Sequence, residues 1–362
     1  MKKIDSKALP DNEKNPELQK MTEKATTIVL NKLESQYGVF SYKQDGQTVK
    51  EMPSALKNGS FHEYPEGTFA NFANNEEKLP FHNRNHTEKI ILRIKEMCKA
   101  INAYSLTAQN QEIAITQVVE NILILAAIGH DVEQQNDIRP IAGSDNANIR
   151  SYYSGDNEIK SADAMKKTTE KKLRSSMLDS QKIEHLLAIL ESAILETRGS
   201  FGPGLSTIQQ QFDATRPWQT HLLAFADIGA AGMNSDTFIT EGDALLMEVN
   251  PFILTAFLKY SKGEEISNST KKEVEDKIKQ WDISQINWAK SREQKFNKSW
   301  TNQKTNETHP ADIDMVPAEV KKALQPLFSQ FGESIKLAED RQKKRTEMTF
   351  EQLAENLGFK KN

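Results

Sequence analysis

The chain has 362 residues, of which 37% are hydrophobic and 27% are charged, and its formal net charge is -4. These values predict a soluble globular protein with one large core, and the interspersed acids and bases exclude a basic surface for duplex nucleic acid. The single cysteine, Cys98, excludes a framework of disulfide bonds and is compatible with a reducing compartment.

The N-terminus starts with two lysines but lacks the apolar segment that a secretory signal requires. The longest uninterrupted apolar run, 122–128, is far shorter than the roughly 20 residues that cross a bilayer. Neither Sec-type export nor a transmembrane helix is therefore expected. The expected location is the cytoplasm, with other export routes left open.

Apolar residues recur every three to five positions in 16–36 and predict an amphipathic helix. Turn signals such as Asn58-Gly59 interrupt the range 37–80, which predicts a long irregular segment. From His82 onwards the helical period is nearly continuous, and no alternation typical of strands is expected. Helices are predicted over 83–104, 111–132, 157–173, 181–197, 218–233, 243–260 and 271–296.

The polar stretch 298–310 predicts a linker, and 317–331 and 333–357 predict two charged helices after it. These two helices either dock on the bundle or mediate self-association. The sequence thus predicts an all-α fold in three parts. The parts are an N-terminal helix with a long irregular loop over 1–80, a helical domain over 81–297, and a linker with a C-terminal helical extension over 298–362.

Histidines and acids occur where helices are predicted to be buried. His130 and Asp131 directly follow the apolar run 122–128, and Asp227 lies among small apolar residues of a later helix. A buried carboxylate must be neutralised, paired or bound to a metal. His82 and His86 are four residues apart at the start of a helix, so both rings project from one face.

Two imidazoles and two carboxylates from three helices suit a divalent ion such as Mg, Mn, Fe, Co or Zn, with coordination positions open for water. Each element alone is common by chance, and a lone histidine in a helix is more often structural than a ligand. The ordered set, with both acids in apolar surroundings, favours a metal site.

The same ordered set resembles the HD superfamily of metal-dependent phosphohydrolases. The resemblance consists of H-N-x-x-H at His82 to His86, the HD pair at the end of an apolar helix, and the late Asp227. Within that superfamily it is closest to the class I cyclic-nucleotide phosphodiesterase domain and its bacterial relatives. The segment D-N-E-x-x-S-A at 156–162 and the helix end I-L-E-T at 194–197 resemble those bacterial relatives.

The resemblance implies an all-α bundle that holds metal through His86, His130, Asp131 and Asp227. It implies a hydrolase that cleaves a phosphate ester with a metal-activated hydroxide, in which Asp131 can bridge two ions and His82 acts as the general acid. In the cyclic-nucleotide enzymes the HD pair is followed by valine, an acid and a second histidine. Here Gln134 takes the place of that histidine, so one ion or two stays open.

Three further residues are candidates for the surroundings of the metal or for the substrate side. Glu133 and Glu158 are placed to orient ligands or water, and Gln285 offers an amide to a base, although ordinary packing is the alternative for Gln285. Arg198 and Arg216 stand at the two ends of the loop 199–215 and could meet a phosphate, although a solvated loop is favoured for both.

The expected substrate is a nucleotide or another small phosphate ester. One alternative is a phosphodiesterase that acts on a modified protein, for which 37–80 and the C-terminal helices would supply a docking surface. The other alternative is a non-catalytic binding protein that keeps the HD fold.

Overall fold

The computed structural model describes residues 79–132, 136–141, 144, 147–152, 155–174, 180–198, 215–301 and 308–361. The helix expected at 16–36 and almost all of the irregular segment 37–80 lie outside these ranges. The described part is an all-α fold of twelve helices with two short strand pairs.

We number the helices in chain order within the described residues. They are α1 (Arg84–Ala108), α2 (Gln117–Gly129), α3 (Asp156–Arg174), α4 (Ser180–Glu196), α5 (His221–Asp227), α6 (Ala230–Met233), α7 (Ser235–Val249), α8 (Pro251–Ser261), α9 (Asn268–Asn297), α10 (Ala318–Leu324), α11 (Phe331–Thr346) and α12 (Phe350–Asn356).

Two antiparallel strand pairs correct the expectation that no strand occurs. Strands β1 (Asn136–Pro140) and β2 (Asn148–Tyr152) form a hairpin directly after α2. Strands β3 (Trp300–Thr301) and β4 (Thr308–His309) pair within the predicted linker 298–310. None of these strands has a buried residue, so the alternation of apolar and polar side chains that identifies a half-buried strand is absent.

Several predicted helices are divided in the structure. The range 243–260 is split between α7 and α8 at Asn250, because Pro251 cannot donate the hydrogen bond that would continue α7 and instead starts α8. The range 218–233 is interrupted after Asp227, where α5 ends, and α6 begins three residues later. This interruption places the Asp227 carboxylate at a helix end.

The main hydrophobic cluster is built around α1 and α2. Ile90, Ile94, Met97 and Ile101 recur at helical spacing and are fully buried, so α1 packs one apolar stripe into the core. Helix α2 is buried nearly all round. Each fully buried aliphatic side chain contributes roughly 1.5–3 kcal/mol of transfer free energy.

The C-terminal helices pack into the same body of the protein. Phe331 and Ala338 of α11 belong to the main cluster, and α11 lies against α9 and α7. Phe350 of α12 joins a second cluster, where its ring lies 5.2 Å from that of Phe257 in α8. The described C-terminal residues therefore contribute to the core.

One apolar segment, Gln111–Gly129, meets the length and hydropathy criteria for a membrane span in the described ranges, and 61% of it is buried inside the protein. Core helices of soluble proteins meet the same criteria, so this segment is weak evidence for a membrane.

Two glycines provide a matched test of the packing between α6 and α11. A Cβ atom on Gly232 would lie 2.7 Å from Phe331 Cζ, whereas a Cβ atom on Gly332 would meet no atom within 4 Å. We expect Gly232→Ala to lower the free energy of unfolding by about 1–3 kcal/mol through overpacking. Gly332→Ala should raise it by about 0.5–1 kcal/mol, because alanine favours the helix. Urea unfolding of both variants measures the two changes in free energy of unfolding. Equal changes would contradict the close packing of Gly232 against Phe331.

Candidate metal centre

His86 is positioned by the start of α1. Asn83 caps this helix by accepting hydrogen bonds from the backbone N–H groups of Asn85 (2.8 Å) and His86 (3.4 Å). The Asn83 amide also donates to the carbonyl oxygens of Leu79 and Pro80, which holds the incoming chain. The asparagine of the H-N-x-x-H motif thus fixes the turn that presents His86.

His130 is positioned by the end of α2. Its Nδ1 lies 2.8 Å from the carbonyl oxygen of Ala127, so this nitrogen carries the proton and donates it. In the neutral form of the ring the lone pair is then on Nε2, which is buried and faces Asp131. This is the tautomer that binds a metal.

Two carboxylates approach the two imidazoles. Asp131 Oδ2 lies 2.9 Å from His130 Nε2 and 3.9 Å from His86 Nε2. Asp227 Oδ1 lies 3.3 Å from His86 Nε2 and 3.8 Å from His130 Nε2. The structure therefore brings together all four side chains that the sequence singled out as ligands.

This arrangement fits a divalent ion. One ligand atom from each of His86, His130 and Asp131 lies within 4.8 Å of the others. With bonds of about 2.0–2.2 Å to nitrogen and oxygen, neighbouring ligand atoms of one ion lie about 3–4 Å apart. His86 Nε2 is buried without a hydrogen-bond partner, and Asp131 and Asp227 approach both this atom and His130 Nε2.

The pKa of each group in this cluster depends on the charges of its neighbours. Burial lowers the pKa of His130, but the negative charges of Asp131 and Asp227 outweigh it and the pKa rises to about 9. Burial would raise the pKa of Asp131, yet the charges of His130 and His82 hold it below its ordinary range. A proton and a divalent ion compete for the same histidine nitrogen, so metal binding is expected to release a proton.

Arg93 and Glu241 surround the ligands. Arg93 Nη1 donates to the carbonyl oxygens of Ala226 (2.9 Å) and Asp227 (3.4 Å), which lie where α5 ends. Its Nη2 lies 2.9 and 2.8 Å from the two carboxylate oxygens of Glu241. Glu241 Oε1 in turn lies 3.6 Å from His86 Nδ1, slightly beyond hydrogen-bond distance. The arginine thus ties α1, α5 and α7 together behind the ligands.

His82 lies beside the four ligands and is paired with Glu248 of α7. Its Nδ1 is in close contact with Glu248 Oε1, and the backbone N–H groups of Phe81 (2.7 Å) and His82 (2.9 Å) donate to Glu248 Oε2. The Tyr152 hydroxyl of β2 also donates to Glu248. Burial lowers the pKa of His82, but the charges of Glu248 and Asp131 outweigh it and the pKa rises to about 9.

The other expected site residues have different positions. Glu158 lies in the first turn of α3, and its carboxylate accepts from the N–H of Gly155 at 2.5 Å. Gln285 packs its amide oxygen against Gly242, and within the described ranges it makes no hydrogen bond or ion pair to the four ligands. Glu133 lies outside the described residues.

Four residues of the site were missed in the sequence: Arg93, Tyr152, Glu241 and Glu248. Arg93 is seven residues after His86, and Glu248 is seven residues after Glu241, so each pair shares a helix face. Charged residues repeated on the buried face of a helix were the available signal. Tyr152 had none, because only the hairpin brings it to the site.

No family model, curated protein or solved structure matches the chain. The geometry of the site and the resemblance of its motifs therefore carry the functional inference.

Proposed function

We propose that the chain is a metal-dependent phosphoric ester hydrolase of the HD type, which acts on a nucleotide or a related phosphate ester. The observation that supports this most is the convergence of His86, His130, Asp131 and Asp227 from three helical segments, with the Nε2 atom of His86 buried without a hydrogen-bond partner. Buried polar atoms of this kind need a partner, and a divalent ion supplies one.

The chain's own residues have distinct roles in this proposal. The four ligands hold the ion, which supplies a Lewis acid for the phosphoryl group and activates water when it is bound. Arg93 and Glu241 hold His86 and the end of α5 in place. His82, whose pKa the charges of Glu248 and Asp131 raise, protonates the leaving oxygen through Nε2 while Nδ1 stays on Glu248.

Metal analysis and hydrolysis test the proposal together. Purified protein should contain a divalent ion or bind Mn²⁺ or Mg²⁺, and the loaded protein should hydrolyse bis-p-nitrophenyl phosphate. Protein that binds no ion and hydrolyses no phosphodiester would contradict it.

Glu248→Gln should change the dependence of hydrolysis on pH. A general acid works below its pKa, so activity falls as pH rises through the pKa of His82. Glutamine removes the charge that raises this pKa, so the alkaline limb of kcat should move to lower pH by about one to three units. A bound cation would lower the pKa of His82 in both proteins. The test is therefore the difference between the alkaline limbs of Glu248→Gln and of the unaltered protein.

The control for this change is Glu264→Gln, which alters an exposed acid after α8. Its pH profile should match that of the unaltered protein. An alkaline limb that stays in place in Glu248→Gln would show that His82 does not supply the proton.

A further inference from the structure

The hairpin of β1 and β2 is attached to the proposed site. It begins at Asn136, shortly after the ligand Asp131, and Asn136 lies directly opposite Tyr152 in the antiparallel pair. Arg150 Nη1 also donates to Asn136 Oδ1 at 2.8 Å, so side chains as well as backbone groups join the two strands. The chain that leaves Asp131 therefore returns through β2.

Two side chains of β2 contact Glu248 of α7. Arg150 Nε donates to the backbone carbonyl oxygen of Glu248 at 3.2 Å, and the Tyr152 hydroxyl donates to the Glu248 carboxylate. Residues two apart in a strand project from the same face. This face of the hairpin is thus held against the end of α7, at the residue that pairs with His82.

The Glu248 carboxylate is fully buried, and its acceptor positions are occupied. Oε1 is in close contact with His82 Nδ1 and with the Tyr152 hydroxyl. Oε2 accepts from the backbone N–H groups of Phe81 at 2.7 Å and His82 at 2.9 Å. A carboxylate has about four acceptor positions, so these donors fill it. Loss of one donor leaves a buried acceptor unsatisfied, which is unfavourable.

Tyr152 also contacts the His82 ring directly. The two ring centroids lie 5.1 Å apart, with the planes tilted by 59°. Burial and the charge of Glu248 raise the pKa of the Tyr152 hydroxyl, so this group stays protonated and continues to donate. The same side chain therefore holds the carboxylate that accepts from His82 Nδ1 and limits the rotation of the imidazole.

We propose that Tyr152 is a positioning residue, which holds Glu248 and the His82 ring so that His82 Nε2 is directed at the leaving oxygen. This inference rests on the proposed function, in which His82 supplies the proton, and extends it to a residue of the hairpin. Tyr152 is not itself the acid, because its hydroxyl donates to Glu248. A general acid contributes roughly 10²–10⁴ to the rate, and part of this factor is lost when the acid is misdirected.

The test compares Tyr152→Phe with Tyr260→Phe. Phenylalanine keeps the ring and removes the hydroxyl. Tyr260 of α8 is the matched control, because its hydroxyl also donates to a glutamate, Glu355 of α12, at 3.3 Å, but at the surface. Hydrolysis by the Mn²⁺-loaded proteins is measured with two diesters, together with Mn²⁺ content and urea unfolding. Bis-p-nitrophenyl phosphate releases a phenolate that needs little protonation, whereas diphenyl phosphate releases a phenol whose pKa, like that of tyrosine, is about 10.

Tyr152→Phe should lower kcat for diphenyl phosphate by about tenfold and kcat for bis-p-nitrophenyl phosphate by less than about threefold, with KM and Mn²⁺ content unchanged. A purely structural role would lower both rates by the same factor. Tyr260→Phe should behave like the unaltered protein. Equal losses with the two esters, or no loss with either, would overturn the role of Tyr152.

A second measurement does not depend on hydrolysis. Exchange of the His82 Nδ1 proton with water is followed by NMR of protein with labelled histidine, and His82→Gln assigns the signal. Exchange should be about tenfold faster in Tyr152→Phe and unchanged in Tyr260→Phe. Equal rates in the variants and the unaltered protein, or no protected proton in the unaltered protein, overturn the positioning role. Faster exchange in Tyr152→Phe, with no hydrolysis of either ester by the unaltered protein, supports the positioning of His82 and contradicts the hydrolase.

Discussion

Replacing Asp131 by asparagine is expected to reduce hydrolysis of a phosphodiester by about three orders of magnitude, which corresponds to roughly 4 kcal/mol of transition-state stabilisation. Asparagine has almost the same shape as aspartate but lacks the negative charge that faces His130 Nε2 at 2.9 Å and that a divalent ion requires. The same variant should lose bound Mn²⁺. Metal analysis after dialysis and the rate of bis-p-nitrophenyl phosphate hydrolysis measure the two effects.

Asp137→Asn is the matched control. Asp137 lies six residues further on in β1, its side chain is 44% exposed, and it pairs with Arg139. It should keep its metal and its activity. A fully active Asp131→Asn variant would remove the basis for the proposed chemistry.

Replacing Arg345 by methionine is expected to lower the free energy of unfolding by about 3–5 kcal/mol and the melting temperature by about 10 °C. Arg345 is buried in α11, and its two terminal nitrogens lie 2.8 Å from the two carboxylate oxygens of Asp243 in α7. It also donates to Asp282 of α9 at 3.3 Å. Arg341 lies 3.0 Å from Asp243 and 3.1 Å from Asp282, so the variant leaves two buried carboxylates with one arginine between them.

Lys344→Met is the control for stability, because Lys344 precedes Arg345 on the same helix but is exposed. It should unfold within about 0.5 kcal/mol of the unaltered protein. Thermal and urea unfolding followed by circular dichroism measure both variants. Similar stability of the two would mean that the ion cluster is solvated or that Arg341 alone is sufficient for it.

The all-α class and most helix positions could be predicted because periodic apolar residues are a local signal. The same is true of the candidate ligands. His82 and His86 are related by one helical turn, and His130 and Asp131 follow an apolar run whose burial could be anticipated. The sequence alone therefore identified the side chains that are candidate metal ligands.

The surroundings of the ligands could not be predicted in the same way. Glu248 reaches His82 across 166 positions of sequence, and Arg93 reaches Glu241 across 148. Such contacts depend on how helices pack and leave no short-range pattern. The β1–β2 hairpin was missed for a different reason, because its strands have no buried face.

The link that Arg93 makes between α1, α5 and α7 affects how an ion would be taken up. The carbonyl oxygens at the end of α5 and the Glu241 carboxylate are already held by this one side chain. Arg93 would consequently help to hold two of the four proposed ligands, Asp227 directly and His86 by way of Glu241, before an ion binds. The rate of loading would then depend on stripping water from the ion and on displacing protons from the histidines, so it should be faster at higher pH and slow for strongly hydrated Mg²⁺.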